Sequence, residues 1–310
     1  MRHAIAVSFW TAGTIAAASF ATAAPLRVIT TTEDLASITR AVGGERITVE
    51  SLSRGYQDPH YVEAKPSFVI KLHSADLLIA VGRELEIGWL PPLVQQARNA
   101  KVQPGGPGYL DASEGVTILE IPTGTLTRAM GDVHPSGNPH YWLDPDNGRK
   151  MARSIAAKLA ALDPPNAAAY KQGQEAFDAK VAEATKRWDA MMAPYKGLKI
   201  VTYHSSWPNF AGRFGLDVVD YVEPKPGVPP SPSHTLDLMK KMKAGGIKII
   251  LVEPYFDAKT PNAIARETGA RVLVLPPSVG GEKGVDDYVA LFDHDLKALV
   301  DAVKETGAKQ

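Results

Sequence analysis

The sequence predicts an α/β protein of two α/β lobes, each with a parallel-sheet core, joined by a long helix. Three observations predict it: a strand–helix–strand rhythm in the first half of the 310 residues, an Ala-, Lys- and Glu-rich helical middle, and a return of the alternation after Gly197.

The chain opens on Met1-Arg2-His3, a basic start, followed by an apolar run over 4–20 that is too short and too Ala-rich to span a bilayer. Ala21-Thr22-Ala23 supplies a small-x-small cleavage site, and Pro25 disfavours a cut directly before it, so residues 1–23 read as a signal peptide and the mature chain is expected to begin at Ala24. The remaining chain, roughly 285 residues, is long enough for two domains. The expected division is an N-terminal lobe over 24–145, a helical region over 146–195 and a C-terminal lobe over 196–310.

In the first lobe, residues 26–29, 47–52 and 77–81 read as strands and residues 35–42 and 66–72 as helices, with Pro66 suited to a first turn. Two helices follow over 145–162 and 166–192, separated by Pro164-Pro165. The second spans about 27 residues, or roughly 40 Å, longer than one lobe needs. It reads as the strut between the lobes. Strands are then expected at 198–203, 218–222, 247–252 and 272–275, and helices at 235–244 and 261–268. The Pro-rich stretch 223–232 reads as a stiff connector. No internal repeat of fixed period is present.

Composition narrows the function. Lys+Arg 34 against Asp+Glu 34 gives a formal net charge of zero, which removes the electrostatic basis for a nucleic-acid partner. With no cysteine, neither a disulfide nor a cysteine-linked lipid anchor is available in these residues, so a freely diffusing periplasmic protein is expected.

Chemistry concentrates in three histidines that share a context: Asp58-Pro59-His60, Asn138-Pro139-His140 running into Tyr141-Trp142-Leu143-Asp144-Pro145, and Tyr203-His204. Each lies just after a strand or in a Pro-bounded loop. In parallel α/β domains such positions converge on one crevice beyond the carboxyl ends of the strands. Three imidazoles form a borderline-soft nitrogen site suited to Zn²⁺.

Those segments, with Pro66-Ser67, resemble the metal-ligand segments of the ZnuA-like zinc and manganese receptors of ABC transporters, and the similarity covers essentially the whole mature chain. The resemblance implies metal in the cleft between lobes, with His60 and His140 from the first lobe and His204 from the second. Manganese receptors of the family generally carry a carboxylate at the third position, so His204 points to Zn²⁺ as cargo, with Mn²⁺ or another divalent metal as the alternative.

The implied role is capture and delivery to an ABC permease in the inner membrane, without catalysis, by a monomer that a periplasmic metallochaperone could load. One departure stands out: the family's aspartate in a Leu-Asp-Pro segment is replaced here by Leu275-Pro276-Pro277. Glu253, at the end of its strand, is the first candidate to replace it as a metal ligand, or else a carboxylate one step removed. Asp257 and water are the other candidates.

Asp132 and His134 lie where relatives carry a His-rich insert, but one histidine is not such a loop, and a solvated loop residue is expected there, with a weak auxiliary contact to the metal as the alternative. His73 and His234 read as structural, and Trp142 and Trp207 as packing beside the site. Two other classes share the features: a zinc hydrolase with three His and an open position, which lacks a His-Glu-x-x-His helix here, and an adhesin on the same fold.

Overall fold

The computed structural model describes residues 24–308 apart from 125, 126, 128, 129 and 132. The expected signal peptide over 1–23 and Asp132 therefore lie outside the described residues.

The first lobe is built on a four-stranded parallel sheet: β1 (Leu26–Thr30), β2 (Ile47–Ser51), β3 (Leu77–Ala80) and β4 (Tyr109–Asp111), in the order β2-β1-β3-β4. Among the described residues the α-helices of this lobe are α1 (Glu33–Gly43), α2 (Pro66–His73) and α3 (Leu90–Ala97). Thr32 starts α1 by accepting a hydrogen bond from the Leu35 amide, and Glu33 complements the helix dipole. All four residues of β3 are buried, as a central parallel strand covered on both faces requires.

Two helices follow, α4 (Pro145–Leu162), capped by Asp144, and α5 (Ala167–Met192). The second lobe repeats the first: β5 (Lys199–Thr202), β6 (Asp217–Tyr221), β7 (Ile249–Val252) and β8 (Arg271–Val274) form a parallel sheet in the order β6-β5-β7-β8. Its helices are α6 (Pro208–Phe214), α7 (Pro232–Gly245), α8 (Lys259–Thr268) and α9 (Tyr288–Thr306). Both sheets share one strand order, so the lobes are topological copies although the sequence carries no fixed-period repeat.

The strut helix is not a free span. Tyr170, Phe177, Val181, Ala184, Trp188 and Met192 bury one face of α5 along its length, where it packs against α1, α4 and α9. One apolar core therefore runs from Val28 and Leu35 in the first lobe through Met151 and Trp188 to Phe292 and Leu299 in the second, with smaller cores on the outer faces of the two sheets. Polar ties cross the same seam: Trp142 Nε1 donates to the Pro277 carbonyl at 2.8 Å, and the Val279 amide to Asp34 Oδ1 at 3.0 Å.

In both sheets the chain leaves the first strand for one neighbour and returns on its other side. That reversal opens a crevice at the carboxyl ends of the strands. The Pro-rich connector also differs from expectation: Ser231 accepts from the His234 amide and Pro232 occupies the first helical position, so α7 starts inside the stretch 223–232.

Candidate metal centre

His60 sits in the long loop after β2. Asp58 Oδ1 accepts from the His60 amide at 2.9 Å and faces its ring Nδ1 at 2.7 Å, while Trp89 Nε1 donates to the Pro59 carbonyl at 2.9 Å and pins the turn. His140 closes the loop that leads into α4, and Tyr141 anchors it by donating to the Val81 carbonyl at 2.6 Å, just past β3. Asn138 Oδ1 accepts from the His140 amide at 2.9 Å and faces Nδ1 at 3.0 Å. His204 lies two residues past β5, and Glu223, two residues past β6, faces its Nδ1 at 2.7 Å.

Each imidazole thus has Nδ1 against an oxygen that can only accept. Nδ1 must carry the proton, and the lone pair falls on Nε2. The rings form a near-equilateral triangle, with centroids 5.1 Å apart for His60 and His140 and 5.5 Å for each pair that includes His204. One donor nitrogen from each lies within 4.8 Å of the others. Nε2 of His140 is buried with no hydrogen-bond partner, an orphan atom aimed into the gap.

Burial, then the neighbouring His60 and His204, hold the His140 pKa well below its ordinary value, which keeps the ring neutral and ready to ligate. At His204 burial pulls the same way, but hydrogen bonding to Glu223 and the charge of Glu253 prevail and raise it. Asp58 is held below its usual range because the His60 contacts outweigh its burial.

Glu253 stands outside the three-histidine group. It is fully buried just past the end of β7, Oε1 accepts from Trp207 Nε1 at 3.1 Å and Oε2 has no partner. Burial raises its pKa to about 7. Asp257 is exposed and accepts from the Lys259 amide at 2.8 Å, capping a turn. Leu275-Pro276-Pro277 is buried at the seam, where the Pro277 carbonyl is held by Trp142.

His134 corrects the sequence expectation. It is not a solvated loop residue: its Nε2 lies 3.3 Å from Nε2 of His60, and burial followed by the nearby histidines lowers its pKa to about 4. It lines both a cavity of about 210 Å³, which also reaches His140 and His204, and a wider cleft of about 810 Å³ that reaches His60. Trp142 and Phe256 wall the cluster, their rings 5.3 Å from His140 and 5.9 Å from His204. His73 and His234 bond to the Ala97 and Tyr221 carbonyls and are structural.

Two lobes of one topology, closing over three convergent imidazoles, define a bilobal metal-binding receptor. The family described as the zinc-uptake complex component A, periplasmic, matches residues 28–302, and the chain belongs to it. Similar proteins include the manganese ABC transporter substrate-binding lipoprotein PsaA of Streptococcus pneumoniae, 27% identical over 90% of this chain and 89% of that protein. The iron ABC transporter substrate-binding lipoprotein MtsA of Streptococcus pyogenes is also 27% identical, over 88% of this chain and 87% of that protein. A crystal structure of ZnuA superposes with a TM-score of 0.76 at 26% identity, covering 90% of this chain and 99% of that one.

Proposed function

We propose that this chain binds one Zn²⁺ through Nε2 of His60, His140 and His204 and delivers it to an ABC-type importer. The observation that carries the metal assignment is the donor set. Among the described residues the convergent group is all imidazole, with the carboxylates of Asp58 and Glu223 one step back on Nδ1. Nitrogen donors favour Zn²⁺ over the harder Mn²⁺, and the relatives named for manganese and iron show that this family's cargo varies.

Glu253 balances charge from behind the donor group, and the fourth position is filled by water or by His134. Carriage rather than hydrolysis is supported by the family, whose members are named as substrate-binding components of transporters. As the substrate-binding component of an ABC transporter, the chain works with a membrane permease and its ATPase. We further propose that it acts as a monomer, open to loading by a metallochaperone. No helix among the described residues is long and apolar enough to cross a membrane. The relatives are named lipoproteins, whereas these 310 residues contain no cysteine to carry a lipid, which supports a diffusing periplasmic carrier.

The continuous core and the seam contacts from Trp142 and Asp34 oppose a wide hinge, so capture proceeds through side-chain and loop adjustment. Competitive titration tests the assignment: Zn²⁺ should bind at least about 100-fold more tightly than Mn²⁺. Equal affinities would overturn the choice of zinc.

A further inference from the structure

Glu120 has no part in the donor set, yet its carboxylate sits at the mouth of the cavity that reaches His140 and His204. Its Oε2 accepts from Asn138 Nδ2 at 2.8 Å and from Ser205 Oγ at 3.0 Å, and its Oε1 faces the Tyr221 hydroxyl at 3.5 Å. Asn138 belongs to the first lobe and holds His140, whereas Ser205 follows His204 and Tyr221 ends β6 in the second. The second proton of the Asn138 amide goes to the Ser205 carbonyl at 2.7 Å. One carboxylate therefore joins the loops that carry a metal-binding histidine from each lobe.

The backbone goes out of its way to bring it there. Glu120 adopts φ 53°, a left-handed conformation that L side chains rarely take. The Leu119 carbonyl accepts from the Asn138 amide at 2.9 Å, and Gly137, at φ 96°, leaves room for Ile118 and Ile121 that a Cβ would fill. The segment is thus docked tightly on Asn138 with its one carboxylate turned across the cleft.

We propose that Glu120 is a positioning residue that clasps the two lobes over the metal cavity and so sets the rate at which bound metal leaves. Its acceptor-only oxygens draw Asn138 and Ser205 together, and losing them frees the two histidine-bearing loops to part along the cavity. Because Glu120 is largely exposed, the clasp adds little to global stability, and its effect falls on opening of the mouth. The inference rests on the three-histidine reading of the site.

Stopped-flow transfer of Zn²⁺ to excess chromophoric chelator tests it on the full chain. Glu120→Ala should speed release roughly tenfold, within the range found for groups that support metal ligands, with the melting temperature of the metal-free protein unchanged. Glu120→Gln retains an acceptor for Asn138 and should release within about threefold of the parent. A purely structural role would change melting temperature with release, and the conservative variant would not separate from Ala. Release by Glu120→Ala within about twofold of the parent overturns the proposal. His140→Ala distinguishes its failure from failure of the site itself: if that variant holds Zn²⁺ as the parent does, the three-histidine reading falls whatever Glu120 does.

Discussion

Glu223 Oε2 lies 2.7 Å from Nδ1 of His204, a contact between the ends of β6 and β5 that orients the second lobe's histidine and raises its pKa against the opposing pull of burial. Zinc needs the neutral ring, so a raised pKa makes protons compete at higher pH. Zinc affinity should fall as pH drops through the range of His204. Glu223→Gln removes the charge, lowers the His204 pKa and moves that fall to lower pH, while weakening binding at about pH 8 by about 10–100-fold. Titration between about pH 5 and 8 checks both; a midpoint unmoved by the substitution would show that Glu223 does not govern His204.

Among the histidines, His60→Ala, His140→Ala and His204→Ala should each weaken zinc binding far more than His134→Ala. Each of the first three removes one of at most four bonds, whereas water can replace His134. Calorimetry with a competing chelator ranks them. A loss at His134 equal to that at His140 would make it an obligatory ligand.

Glu253 is the buried carboxylate beside the site, and its Oε1 is already engaged by Trp207 Nε1. Charge balance from a distance predicts that Glu253→Gln costs at most about tenfold in affinity. A larger loss, with the circular dichroism spectrum unchanged, would mean that Glu253 swings into the metal's coordination sphere.

The histidine trio was legible because each member follows a strand or a Pro-bounded turn, and the positions after parallel strands share a crevice. The neighbours that tune it were not. Glu223 lay in a segment that reads locally as a Pro-rich connector, and only the pairing of β6 with β5 brings it to His204. That it falls just past a strand end was the one available signal. His134 shows no periodicity or motif, and its approach to His60 is set by tertiary folding.

Among the elements, β4 is three residues long and α3 begins Leu90-Pro91-Pro92, too brief or too Pro-rich for pattern reading. Helix α9 stands outside the expected elements despite a usable signal, since Tyr288, Phe292, Leu296, Leu299 and Val303 recur at helical spacing.

At the seam, burial raises the Asp34 pKa to about 7, against hydrogen bonds from the Val279 amide and Ser278 that lower it. The folded state therefore keeps a proton that the unfolded chain releases near about pH 4, so Asp34 contributes stability fully present below about pH 4 and lost as pH rises toward about 7. Asp34→Asn still accepts from the Val279 amide and removes the titration. Metal-free variant and parent should differ in the slope of stability against pH between about 4 and 7, the variant being flatter, as urea unfolding would show. Parallel slopes would mean that Asp34 stays ionised in the fold.

Whether a single Zn²⁺ is held jointly by both lobes is read by native mass spectrometry of the zinc-titrated parent beside His204→Ala. One zinc per parent chain is expected, with loss of that zinc in His204→Ala at the same free-metal concentration, the variant remaining folded. Retention of one zinc by His204→Ala as tightly as by the parent would contradict a site shared between the lobes.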